Sequence, residues 1–175
     1  MEENIGLEQH PFGAFLPPNV RYLVVGTFPG RQFSQRLIAE NEADLMAFSY
    51  GGRNQFWRIM EKIYGVELPT RASKQAIFEQ NNIGMMDLIA ACRRKKNSNL
   101  DTDLTDIIWN RPAFEHVFNT QSIDTVFCTG RGVEKIFKSW FPDVNCVALP
   151  SPSPLFAAMR FEDKLAFYKT VFPQL

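Results

Sequence analysis

The chain has 175 residues, 45% hydrophobic and 22% charged, enough to bury one sizeable core and of a length read most simply as a single domain. Its 19 Lys+Arg balance 19 Asp+Glu, which excludes a uniformly basic nucleic-acid binder; such a partner would have to be held by a local patch. The three cysteines, Cys92, Cys128 and Cys146, are odd in number and lack C-x-x-C spacing. That disfavours a zinc site, an iron–sulfur cluster or a disulfide framework and suits a reducing, cytoplasmic setting.

The first residues, MEENIGLEQHPFGAF, show no basic-then-apolar signal pattern. No apolar run approaches the about 18 residues of a membrane span. Residues 1–20 read as an extended lead-in to one domain covering 1–175. Strand-like apolar segments follow at Tyr22 to Val25, Ile83 to Met86, Ile123 to Cys128 and Cys146 to Leu149. Helical patterns lie between them. The clearest starts at Asn54, where Phe56, Ile59, Met60, Ile63 and Tyr64 recur at three and four residues and Gly65 supplies a stop. Thr70 to Gln80, Pro112 to Asn119, Val133 to Trp140 and Arg160 to Phe172 complete the set. Such alternation predicts an α/β fold with parallel strands, helical crossovers and helices on both faces of the sheet. Four loops then leave the carboxyl edge of that sheet, where α/β proteins bind ligands.

The first loop is Gly26-Thr-Phe-Pro-Gly30, a strand running into a glycine-bracketed proline turn. The last is Leu149-Pro-Ser-Pro-Ser-Pro-Leu-Phe156. Its alternate prolines stiffen the chain and lower the ordering cost of binding, while Ser151 and Ser153 keep hydroxyls for a phosphate. Leu155 and Phe156 present a wedge for insertion between bases, or else enter the core of a stiff connection. After the second strand comes Cys92-Arg-Arg-Lys-Lys-Asn-Ser-Asn-Leu100. Its four cations, Arg93, Arg94, Lys95 and Lys96, with Ser98 beyond them, read as a loop, either simply solvated or contacting phosphates. In Tyr50-Gly-Gly-Arg-Asn-Gln-Phe-Trp57, Asn54 either caps the helix or aims its amide into a pocket that Gly51 and Gly52 let a ligand approach. Of the two histidines, His10 lies in the lead-in, and His116, inside a predicted helix, reads as an ordinary core or surface residue.

GTFPG, YGGRNQFW, GMMDLIAAC and LPSPSPLF, in that order and spacing, together resemble the uracil-DNA glycosylase superfamily from Tyr22 to the carboxyl terminus. The resemblance is closest to the hypoxanthine-DNA (deoxyinosine) glycosylase branch, with the mismatch-specific uracil-DNA glycosylases next. It implies a three-layer α/β/α sandwich around a four-stranded parallel sheet. It also implies a monomer acting on DNA with deaminated or mismatched bases, which hydrolyses the N-glycosidic bond of a flipped hypoxanthine or uracil without metal or cofactor. Phe28 stands where the superfamily often places a water-orienting Asp or Asn. The hypoxanthine branch shares that departure, and its resemblance points to Asn54 instead. Ser151 stands where many relatives have a histidine that stabilises the departing base. Asp87 falls where relatives put a base-reading side chain, its other role being a turn cap. Gly26, Thr27, Phe28, Pro29, Gly30 and Tyr50 then complete the base pocket, and Leu155 supplies the wedge.

No lysine lies in these motifs to form a Schiff base, so the implied enzyme leaves an abasic site uncut. Two other classes stay open on the residues alone. A non-catalytic nucleic-acid binding domain of the same fold would keep the basic run and the wedge. A small-molecule nucleotide enzyme is disfavoured because neither G-x-G-x-x-G nor G-x-x-x-x-G-K-[ST] is present.

Overall fold

The apolar runs form strands where their composition predicts, with ends shifted by one or two residues. A computed structural model describes residues 6–35 and 53–174; Tyr50, Gly51 and Gly52 lie outside the described residues. In chain order, β1 is Glu8–Gln9, β2 Tyr22–Gly26, α1 Arg31–Ser34, α2 Phe56–Tyr64, α3 Arg71–Gln80, β3 Ile83–Asp87 and β4 Ile89–Arg94. Then come β5 Leu104–Trp109, α4 Arg111–Thr120, β6 Thr125–Cys128, α5 Arg131–Trp140, β7 Cys146–Ala148 and α6 Phe161–Val171.

Strands β3-β2-β6-β7 form a parallel sheet in that order, with Tyr22 opposite Ile83 and Thr125, and Val126 opposite Cys146. β2 lies inside the sheet and is buried on both faces, which explains its unbroken apolar run. Val24 packs with Phe56, Ile59, Met60, Phe78 and Tyr168 on one face. Leu23 and Val25 pack with Phe114, Val117, Val133 and Phe137 on the other. The two-residue period of the strands thus feeds two cores, and helices cover both. The expected three-layer fold is what the chain adopts.

Two helix boundaries follow from local chemistry. Gly65 closes α2 in the left-handed conformation at φ 65°, which glycine adopts without the steric cost a Cβ brings. Thr70 and Ser73 form a reciprocal capping box at the start of α3.

The basic segment departs from expectation. Cys92 to Arg94 is not loop but the end of β4, which turns back into β5; together with β1 they make an antiparallel sheet in the order β1-β4-β5. Leu88 alone separates β3 from β4, and no Gly, Pro or Asn marks the change. Leu88 N–H still bonds Gly26 C=O (2.9 Å) and Ile89 N–H bonds Thr27 C=O (3.1 Å), so the chain leaves one sheet and enters the other without a turn. The lead-in is likewise integral. Glu8 and Gln9 pair with Cys92 and Ala91, and Phe15 bridges to Met85. Cys128 and Cys146, on neighbouring strands, are free thiols with their Sγ atoms 3.0 Å apart. Among the described residues no helix is long and apolar enough to cross a membrane.

Candidate active site

The β2 end places Gly26 opposite Asp87, so the GTFPG turn and the Asp87 side chain leave the sheet side by side. Asp87 follows Ile83 and Met85 in the strand alternation, on the face that packs against α2. Its carboxyl group is almost wholly buried, 1% exposed, and its Oδ2 lies 2.7 Å from His10 Nε2. The Phe28 ring meets His10 edge-on, with centroids 5.7 Å apart and planes at 85°. The Arg94 guanidinium stands over the Phe28 ring at 5.8 Å.

Arg94 also fixes the turn from below. Its Nη2 donates to the Pro29 carbonyl (2.9 Å), its Nη1 to the Ser98 carbonyl (3.1 Å) and its Nε to Glu8 Oε2 (3.0 Å). Glu8 accepts further bonds from Ser34 Oγ (2.5 Å) and Gln35 Nε2 (2.7 Å). Burial raises the Glu8 pKa, but these hydrogen bonds and the Arg94 charge outweigh it and hold the carboxyl below its usual value.

Asn54 sits just ahead of α2, and its Oδ1 accepts from Phe56 N–H at 2.9 Å. The capping role is therefore realised by one end of the amide, and among the described residues the Nδ2 end makes no hydrogen bond. The next residue ties the helix to the proline-rich loop, Gln55 N–H donating to the Pro152 carbonyl at 2.8 Å.

That loop is braced from α6. Lys164, 1% exposed, donates from Nζ to Ser153 C=O (3.2 Å) and Gln55 Oε1 (3.1 Å). Tyr168 Oη donates to Pro150 C=O (3.0 Å). Burial pushes the Lys164 pKa down. Inside the loop Ser151 Oγ accepts from Ser153 N–H (3.3 Å) and Ser153 Oγ from Leu155 N–H (3.2 Å). Each hydroxyl is used as an acceptor and keeps its own O–H to donate. The side chains at the tip point out: Leu155 is 73% exposed and Phe156 39%.

A cavity of about 740 Å³ opens along the same edge. Thr27, Ser151 and the Thr129 to Gly132 loop line its rim, and Leu104, Trp109 and Ile136 its apolar wall. Gly130, at φ 153°, holds a backbone conformation that side chains rarely adopt; a Cβ there would stand 4.0 Å from that of Ser151. Asp101 also lines this cavity. Desolvation raises its pKa, with the neighbouring Thr27 side chain acting the other way.

Residues 13–175 match the family model of the uracil DNA glycosylase superfamily. The chain belongs to that superfamily. Its fold is similar to a solution NMR structure from Methanosarcina acetivorans, provisionally described as a uracil DNA glycosylase, with a TM-score of 0.66 and 16% identity over 95% of this chain and 97% of that one. A search of the curated proteins finds no match.

In this superfamily member the expected site residues do not all gather in one place. Phe28 and Asp87 meet at His10, while Gly26 pairs opposite Asp87 and the Pro29 carbonyl is held by Arg94. Thr27 and Ser151 line the cavity, whereas Phe28, Asn54 and Asp87 do not. The four cations are split by the strand that carries them. Arg94 turns inward and is buried, because successive residues of a strand face opposite sides. Arg93 is half-buried and pairs with Asp106 at 3.5 Å. Lys95 and Lys96 alone are exposed. The Ser98 hydroxyl donates to Asp103. An unbroken cationic loop is thus replaced by an exposed lysine pair at the hairpin bend.

His10, Glu8, Lys164, Tyr168 and Asp101 are what sequence reasoning missed. His10 carried one usable signal, as one of only two histidines in the chain. His116, the other, is exposed on α4. The remaining four carried no local signal, since their partners lie far off in the chain.

Proposed function

We propose that the chain is a monofunctional DNA glycosylase that hydrolyses the N-glycosidic bond of a flipped, deaminated base, hypoxanthine or uracil. The observation that carries this reading is the convergence at one sheet edge of an aromatic ring, Phe28, a buried carboxylate, Asp87, and a braced loop with a bare leucine, Leu155.

The sequence of events follows from those parts. Extruding a nucleotide costs a few kcal/mol, least for a damaged or mismatched pair. Leu155 fills the gap it leaves, and the bracing from Lys164 and Tyr168 lets the leucine push without the loop giving way. Phe28 stacks on the extruded ring, its own position held by the His10 edge and the Arg94 guanidinium. As the glycosidic bond breaks, negative charge grows on the base, and preorganised N–H donors of the GTFPG turn stabilise it. With charge separation doing most of the work, the water needs orientation more than deprotonation. Asn54 is suited to that, because an amide has no useful basicity but its Nδ2 can hold a water or the base. Ser151 supplies a hydroxyl donor at the strand edge where relatives use histidine. The exposed Lys95 and Lys96 add phosphate affinity.

Strand cleavage by the protein itself is not part of this reading. The lysine nearest the wedge loop, Lys164, lies under it with its Nζ already donating to two acceptors. The test is incubation with duplexes carrying single hypoxanthine, uracil, xanthine or mismatched thymine, followed by alkali. Hypoxanthine or uracil strands should break only after alkali. Intact DNA in all four would leave a non-catalytic nucleic-acid binding domain of this fold.

A further inference from the structure

The buried Asp87 carboxyl group is only half satisfied. Oδ2 is held by His10 at 2.7 Å, while Oδ1 is shielded from solvent and has no hydrogen-bond partner among the described residues. Leaving a buried acceptor empty is costly, and more so when it is charged. A fold that keeps one at a ligand edge has a donor still to come.

The backbone decides which oxygen is left. His10 Nδ1 accepts from Gly13 N–H at 3.0 Å and Phe12 N–H at 3.3 Å. An N–H can only donate, so Nδ1 carries a lone pair and the imidazole proton is on Nε2. That proton points at Oδ2. His10 is therefore a fixed donor, and the group it faces must present an oxygen to it.

With Asp87 standing where the superfamily resemblance puts a base-reading side chain, we propose that His10 is its positioning residue: His10 occupies one carboxylate oxygen and sets the other, Oδ1, to accept a ring N–H from the Watson–Crick edge of a flipped base. The proposal rests on the glycosylase reading above and deepens it to a rule of base choice. Adenine N1 and cytosine N3 are bare acceptors, repelled by a carboxylate oxygen. Deamination turns adenine to hypoxanthine, with N1–H, and cytosine to uracil, with N3–H. A lone carboxylate acceptor thus separates each deaminated base from its parent by one proton. Guanine and thymine also carry a ring N–H, so their rejection falls to other contacts. His10 acts as a positioning residue, since it touches the base only through Asp87.

The experiment measures equilibrium binding to duplexes that resist hydrolysis, 2′-fluoroarabino nucleotides bearing hypoxanthine, 1-deazahypoxanthine or adenine opposite the same partner base, alongside excision of ordinary hypoxanthine. The wild type should prefer hypoxanthine over both analogues by roughly 10- to 100-fold, the range for an unmet hydrogen bond to a charged group. Asp87→Asn has a specific signature. Its amide oxygen must face the His10 proton, its NH2 then faces the base, and the preference for hypoxanthine over adenine should vanish or invert. His10→Phe should lose part of the preference and His10→Gln, which keeps an N–H donor, should restore it.

The proposal is overturned if the wild type does not discriminate 1-deazahypoxanthine, a test that needs no variant to fold. It is also overturned if the variants weaken all three ligands by one common factor, the mark of a merely structural role. Preference without any excision would sink the glycosylase reading and leave the pair standing. Excision indifferent to the N1–H would sink the pair alone.

Discussion

Asp87 and Leu155 stand at the same edge of the parallel sheet and break opposite rules of packing. Asp87 buries an oxygen with no partner among the described residues, and Leu155 exposes 73% of a large apolar side chain. Each costs the folded protein free energy in isolation, the first through lost hydration and the second through apolar surface left in water. The surroundings differ in a telling way. Around Asp87 the side chains are locked by His10, Phe28 and the Glu8–Arg94 pair. Around Leu155 it is the backbone that is locked, by Lys164 and Tyr168, and the side chain is left free. A reader of bases needs a fixed atom, whereas a wedge needs a fixed stalk with a bare tip.

The largest effect expected on this contrast comes from Arg94. Arg94→Ala removes one partner of a buried pair and strands Glu8, so unfolding in urea should show a loss of about 3 kcal/mol or more. Lys95→Ala or Lys96→Ala should stay within about 0.5 kcal/mol, as exposed substitutions do. A small loss at Arg94 would mean that the ion pair does not hold the turn.

Acid should act on the same pair. The folded-state pKa of Glu8 lies below the ordinary 4.5, so its contribution is fully present above that pH and is lost as pH falls through the lowered value. Glu8→Gln should reduce stability at neutral pH and flatten the acid limb of a melting-temperature profile. A variant with an unchanged acid limb would place that limb elsewhere.

Asn54 divides function from folding. Asn54→Ala should cost about 1 kcal/mol of stability, the worth of a helix cap, and roughly 100-fold in single-turnover excision, the worth of a positioned polar group in a closed site. If the variant melts lower yet excises at the wild-type rate, Asn54 is a cap only.

Leu155→Ala should change stability by less than about 0.5 kcal/mol, because the side chain is already in water. Its effect belongs to extrusion, so excision from a stably paired duplex should fall by roughly 10-fold more than from single-stranded DNA. Equal losses on both substrates would make it part of the pocket and erase the contrast with Asp87.

The smallest effect concerns Lys95 and Lys96. Replacing both with Ala should flatten the slope of log affinity against log salt by up to about two units if each meets a duplex phosphate. An unchanged slope would put the hairpin bend off the DNA path.

Local sequence determined much of this. The four parallel strands were legible because a strand buried on both faces needs an unbroken apolar run, and the helices because their apolar residues recur at three and four. GTFPG and LPSPSPLF announced themselves as loops through glycine and proline, whose backbone limits act at the residue itself. The β4–β5 hairpin was not legible, since Leu88 joins two strands with no turn residue between them. Nor did four consecutive cations reveal that Arg94 points inward; that depends on the strand's pleat and on Glu8 arriving from β1. Only the tertiary structure brought His10 to Asp87 across 77 residues and Lys164 to Gln55 across 109. Such pairs are made by where separate elements dock, and a hydrogen bond between distant residues leaves no period, spacing or composition in the chain to be read beforehand.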